Sequence, residues 1–390
     1  MNLRGCESLT ELPDFSGIPN LKKLDLADCK NLTTIPCIEL QNLEILNVSR
    51  CSNLLTFQAK ASISHDHDSG SLALPKLHVL KTEGCNLSTV DFIGSLDCLE
   101  TLTELHLSSC NFVSVPALGK FVNLKEINLS YCKRLREIPE LPPNILEVNA
   151  RDCESLERFF ILPMSPISLS ESRMYLWNCQ SLGYDMEKME NILLNNQKSR
   201  FSVVLPGSDV PKWFHCSKEL AANEKGVFSK CAISFEIPSK LNWENIGVAA
   251  CSGDDTSNLL FNSRADISIN GVLIYQCSRL RSSTPDHMWL TCIPLSDEIK
   301  GKVDQIMESC PYNDQKGWWP YKCRVQFYPA HCMKSCGVHL VCQPPNEYSN
   351  KIVMADQISQ TSDWEANIDL VPDWLSTLAN YDSTSPASTP

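Results

Sequence analysis

The stretch LKKLDLADCKNLTTIP, residues 21–36, decides the fold. Leu24 and Leu26 alternate, Cys29 follows three residues later, Leu32 three after that, and Ile35-Pro36 close the unit. Alternation of this kind places both leucines on one face of a short strand. The unit then recurs. Cys6, Cys29, Cys51, Cys85, Cys110, Cys132 and Cys153 follow one another at about 22 residues, apart from one longer gap between Cys51 and Cys85. Before these thiols stand Leu46 and Val48, Leu80 and Thr82, Leu105 and Leu107, Ile127 and Leu129, Val148 and Ala150. After them come Leu54, Leu87, Phe112, Leu135 and Leu156, and a last copy places Leu176, Cys179 and Leu182 in MYLWNCQSL. Thr82 and Ala150 are the weak members.

The spacing is that of the leucine-rich repeat, L-x-x-L-x-L-x-x-N/C-x-L. One strand and one turn cannot bury their own leucines, but stacked neighbours do it for each other. The Asn/Cys slot faces inward against turning backbone, where a small, weakly donating thiol is tolerated. The expected fold over residues 1–183 is an α/β leucine-rich-repeat solenoid, a horseshoe of about seven to eight repeats. The opening MNLRGCESLTELP fits the same frame, with Met1 in the Leu24 slot, Leu3 in that of Leu26 and Cys6 in that of Cys29. The chain thus starts inside a repeat, which reads as a truncated product, a misplaced start or a cut fragment.

Residues 58–74, including SISHDHDSG, are polar and too long for the repeat, so a protruding loop is expected there. His65, Asp66, His67 and Asp68 lie in it without the fixed geometry a metal needs. The chain has 390 residues and a formal net charge of -12, with 34 Lys plus Arg against 46 Asp plus Glu. That balance argues against nucleic acid, whose phosphates call for a basic face, and offers no pull toward an anionic membrane. No stretch approaches the ~20 apolar residues that cross a bilayer, and no basic start precedes an apolar run as in a secretory signal. The 20 cysteines are therefore expected as free thiols in a reducing compartment, cytoplasm or nucleus. Sequons at Asn31, Asn47, Asn86 and Asn128 keep secretion as the alternative, although the polar columns of a repeat produce sequons cheaply.

After about residue 198 the grammar changes. Met186, Met189, Ile192 and Leu193 recur at helical spacing, giving a linker helix over 184–198. Then period two takes over in FSVVLP, CAISFEI (231–237), NIGVAACS (245–252), ADISINGVLIYQ (265–276), HMWLTCIP (287–294), CRVQFYP (323–329) and CGVHLVC (336–342). Asn270-Gly271 is a hairpin signal, since both turn residues must accept positive φ. With no long helix among these strands, residues 199–345 read as an all-β jelly-roll or Ig-like sandwich, followed by a disordered tail over 346–390. Cys332, Cys336, His339 and Cys342, beside His331, have a zinc flavour, but strand alternation spreads them over two faces, so no metal is expected.

These residues resemble a family. LKKLDLADCKNLTTIP and LKEINLSYCKRLREIPELPPNILEVNARDCESLE look like the repeats of plant intracellular TIR-type nucleotide-binding disease-resistance proteins. VVLPGSDVPKWF, with AISFEIP, DHMWLTCIP and CGVHLVC after it, resembles the C-terminal jelly-roll and Ig-like domain (C-JID) that follows those repeats. The resemblance implies recognition of a pathogen effector, release of a nucleotide switch and NAD cleavage by assembled TIR domains. Neither engine is expected in this chain, because no G-x-x-x-x-G-K-[ST] occurs and no TIR domain precedes the repeats. The chain is thus expected to be a non-catalytic, cofactor-free protein-binding module.

Its contact surface would be the concave sheet, at Lys23, Asp25, Lys81, Glu83, Glu104, His106, Glu126, Asn128, Glu147 and Arg151, all expected to be exposed. Within the family motif, Pro206-Gly207 makes a turn, Pro211 stiffens the next segment, and Trp213-Phe214 seal a sandwich edge, a mainly structural set. Two other readings stay open. One is a carbohydrate-binding or enzymatic sandwich using Trp243, Trp289, Trp318 or Trp319, although G-x-S-x-G and H-E-x-x-H are absent. The other is a relic without function.

Overall fold

A computed structural model describes residues 1–13, 15, 17–36, 40–57, 74–142, 144–159, 171–183, 193, 200–220, 231–238, 241–254, 264–278, 286–309, 321–328 and 333–342. Outside them lie the expected tail, His65 to Asp68, His331, Cys332, Trp318, Trp319 and the expected linker helix, apart from a helical, buried Leu193. Leu74, placed by sequence in the protruding loop, is buried instead, its N–H donating to Asp97 Oδ1 at 2.8 Å.

The repeat strands Lys23–Asp25, Ile45–Asn47, Val79–Lys81, Glu104–His106, Glu126–Asn128, Glu147–Asn149 and Ser172–Tyr175 pair in parallel in that order. Asn2 bridges Asp25, which puts Met1 level with Leu24 as the repeat frame requires. The inward column Leu24, Leu46, Leu80, Leu105, Ile127, Val148 is essentially sealed from water. Each such side chain contributes about 1.5–3 kcal/mol over an exposed one. The weak slots Thr82 and Ala150 are also fully buried.

The thiols form a second ladder. Cys29, Cys51, Cys85, Cys132, Cys153 and Cys179 donate to carbonyls just past the strand position of the preceding repeat, those of Leu3, Leu26, Val48, Leu107, Leu129 and Ala150, at 3.0–3.2 Å. Cys110 does the same to Thr82 at 3.3 Å. All described cysteines are free, and burial pushes these thiols up, to about 11 at Cys51 and about 12 at Cys132. Just before each rung the chain turns through left-handed backbone, at Gly5, Asp28, Arg50, Gly84, Ser109, Tyr131, Asp152 and Asn178.

The expected α component of the repeats is corrected. Among the described residues the return segments hold turns, the 3₁₀ helix Asp91–Ser95 and two short parallel ladders, Thr34–Ile35 with Thr56–Phe57 and Glu137–Ile138 with Arg158–Phe159. Pro19, Pro36, Pro75, Pro116 and Pro142 punctuate these returns. Each removes a donor and holds the residue before it extended, which leaves no room for a regular helix. The result is a mostly-β solenoid.

The sheet does not stop where the repeats do. Ser172–Tyr175 pairs in parallel with Phe201–Pro206, which pairs antiparallel with His287–Pro294, followed by Ile246–Asp254, Met333–Cys342 and Cys216–Glu219. One face of this extension, with Val203, Leu205, Cys251 and Leu290, continues the repeat core. The other carries Val204, Trp289 and Val338 into a second core. That core is shared with a four-stranded antiparallel sheet ordered Cys231–Ile237, Tyr321–Tyr328, Arg264–Ile269, Val272–Ser278. Asn270 and Gly271 make its hairpin with φ of 49° and 82°.

A 13-residue helix, Asp297–Ser309, corrects the helix-free expectation for this half. Ser296 Oγ accepts the Ile299 N–H at 3.2 Å, acidic residues fill the first turn, and Val303 is buried with Ile299 and Ile306 packed beside it. Those features were readable as an N-cap and a 3.6-residue period.

Candidate functional site

Alternation leaves three rows of side chains on the open face of the repeat sheet. The first is Lys23, Ile45, Val79, Glu104, Glu126, Glu147, Arg173, and the second is Asp25, Asn47, Lys81, His106, Asn128, Asn149, Tyr175. Glu83 and Arg151 stand two residues beyond the second row. Of the ten residues expected to be exposed here, only Lys23 is, and eight are half-buried. His106 is a correction: only 9% of it is exposed, because carboxylates close over its ring.

At its C-terminal end the open face meets a wall. Tyr175 and Trp177, on the same face, are buried in the second core. The Arg200 guanidinium lies 4.9 Å from the ring centre of Tyr275 on the edge strand. The four-stranded sheet therefore sits on the side of the large sheet that the repeats leave open.

Two clusters occupy the open part. In one, His106 Nε2 lies 3.2 Å from Glu104 Oε2 and 3.9 Å from Glu126 Oε1, and Nδ1 lies 3.7 Å from Glu83 Oε1. Ser108 Oγ and Asn128 Nδ2 donate to the same Glu83 oxygen at 3.3 and 3.5 Å. Glu147 is the next carboxylate along, its acidity weakened by burial and then by Glu126. The other cluster is aromatic. The Arg151 guanidinium stacks 5.1 Å from the Tyr131 ring and 6.0 Å from the Trp177 ring. Tyr131 is 44% exposed yet holds φ at 62°, which costs a bulky residue about 1–2 kcal/mol. Sequence reasoning missed Tyr131, Asn149, Arg173 and Tyr175; the place of Tyr131 immediately before a rung thiol was the available signal.

The family motif packs as a lid on the sheet. Gly207 turns at φ 92° and its N–H donates to Asp286 O at 2.8 Å. Pro211 is buried, its carbonyl accepting the Phe214 N–H at 3.0 Å. Val210 and Phe214 lie over Gly337, and Ser208 lies against Gly253. Trp213 meets the His339 ring edge-on at 5.1 Å, and His215 stacks on that ring at 4.0 Å. Burial and the neighbouring His215 hold His339 down to about 3, so it is neutral near pH 7. Cys336, Val338, Leu340 and Cys342 face the second core, away from these rings. Trp243 and Trp289 are sealed in the core and offer no platform to a sugar.

A parallel sheet stacked through leucines and inward thiols defines a leucine-rich-repeat protein, and residues 100–143 match the family described as Leucine Rich repeats (2 copies). Over much of its length the chain is homologous to disease-resistance proteins of Arabidopsis thaliana. Disease resistance-like protein DSC1 is 27% identical over 63% of this chain and 22% of its own length. Disease resistance protein RPS4B is 26% identical over 82% of this chain and 24% of itself. Disease resistance protein RML1B is 34% identical over 55% of this chain and 23% of itself. The chain thus spans less than a quarter of the length of these three relatives. Among the described residues no helix is long and apolar enough to cross a membrane.

Proposed function

We propose that the chain is a non-catalytic recognition module of a plant intracellular immune receptor of the TIR-NBS-LRR type, binding a pathogen effector protein through the open face of its repeats. In this reading residues 199–345 form the C-JID sandwich, and the module works in the cytoplasm or nucleus. The homology supports the receptor setting. Support for the surface comes chiefly from Tyr131, a large aromatic held 44% exposed beside the open face and stacked on Arg151. The left-handed turn itself recurs before every rung; what sets this rung apart is that the turn carries a large, half-exposed aromatic where the others carry Gly, Asp, Asn, Ser or Arg. Tyrosine and arginine are also the side chains that carry most binding energy at protein interfaces.

The test separates fold from function. Tyr131→Gly relieves the left-handed strain, so the variant keeps its stability or gains up to about 1 kcal/mol. Against an effector selected from a binding panel, Tyr131→Gly and Arg151→Ala are each expected to lose at least tenfold in affinity, about 1.4 kcal/mol. Unchanged affinity in both variants rejects this surface.

A further inference from the structure

We propose that Glu104, His106 and Glu126 form a binding site for a divalent transition-metal ion. Their ligand atoms all lie within 4.8 Å of one another. Zinc-like ions hold nitrogen and oxygen ligands at about 2.0–2.2 Å, which sets neighbouring ligand atoms roughly 3.0–3.6 Å apart. His106 Nε2 and Glu104 Oε2 already meet that spacing at 3.2 Å, and Glu126 Oε1 at 3.9 Å needs only a small side-chain rotation. Imidazole with carboxylates suits zinc or manganese.

Three further features point the same way. His106 presents Nε2 to the two carboxylates while Nδ1 faces Glu83 at 3.7 Å. A carboxylate behind the far ring nitrogen orients a ligating histidine and fixes which nitrogen offers its lone pair. Glu83 is itself held by Ser108 and Asn128. Second, Glu104 and Glu126 are direct register partners on adjacent strands. Like charges so placed destabilise a sheet, and among the described residues His106 is the ion-pair partner of both. Third, the histidine is nine-tenths buried while the two carboxylates keep 41% and 39% side-chain exposure, so an ion can enter from solvent and retain water ligands. No linear motif shows this set: an E-x-H on one strand meets a glutamate one repeat later.

Manganese(II) is the suitable probe, because its preference for carboxylate and water oxygens leaves the many thiols uninvolved. Free Mn²⁺ is counted by electron paramagnetic resonance while the full chain is titrated at neutral pH. One ion per chain is expected, with affinity reduced at least tenfold in both Glu126→Gln and His106→Gln. Glu83→Gln, which removes the orienting carboxylate, is expected to cost about tenfold. Glu126→Gln also relieves the like-charge contact, so an unchanged or higher melting temperature shows that its loss of metal is not a loss of fold. Absence of stoichiometric binding, or equal binding by wild type, Glu126→Gln and His106→Gln, overturns the proposal. The three residues lie on the same open face, but the metal titration uses no effector, so its outcome is read independently of effector recognition.

Discussion

Replacing Gly253 with alanine is expected to cost about 3 kcal/mol or more and to leave much of the chain unfolded near 37 °C. A methyl group built on Gly253 overlaps the carbonyl oxygen of Ser208. Backbone is the hardest neighbour to move, and overpacking a filled core usually costs about 1–3 kcal/mol, rising when nothing yields. Ser208 is tied down twice: Ser335 Oγ donates to its carbonyl at 2.9 Å, and Lys334 Nζ donates to its hydroxyl at 3.3 Å. The substitution therefore pushes the family motif off the sheet. Gly301→Ala is the matched control, because that glycine sits inside the helix with nothing within 4 Å of an added methyl. It is expected to stabilise by about 0.5–1 kcal/mol. Urea unfolding of the two variants reads both effects.

The second large effect falls in the repeats. Leu105→Ala is expected to cost about 2–5 kcal/mol, the range for emptying a sealed leucine site. Leu105 is wholly buried and stands between Leu80 and Ile127 in the inward column. A cavity there loosens two interfaces at once, because each repeat rests only on its neighbours. Urea unfolding checks this, and a cost below about 1 kcal/mol would show that the column does not carry the solenoid.

Much of this was legible in the residues themselves. Leu24, Leu26 and Cys29 recur as a unit because every repeat solves the same burial problem; Cys231–Ile237 is a strand that alternates buried and half-buried as its residues indicate, while His287–Pro294 is a strand buried on both faces. The helix at Asp297–Ser309 carried a readable N-cap and period, but Gly301 in its second turn and the strand grammar on either side argued against it. What local pattern cannot show is register. The meeting of His106 with Glu126 depends on which residue of one repeat lies beside which of the next. The wall beside Tyr175 depends on a separate four-stranded sheet that packs through the second core onto the side the repeats leave open. Likewise, the place of Tyr131 before a rung thiol gives its turn, but its stacking on Arg151 of the next repeat needs the register.

Hydroxyl-radical footprinting of the chain, with and without a bound effector, tests the surface most directly. The account predicts that the effector shields Tyr131, while Leu55 and Val122, which are 57% and 44% exposed in the return segments, stay reactive. Shielding of Leu55 or Val122 with Tyr131 still fully reactive would contradict it.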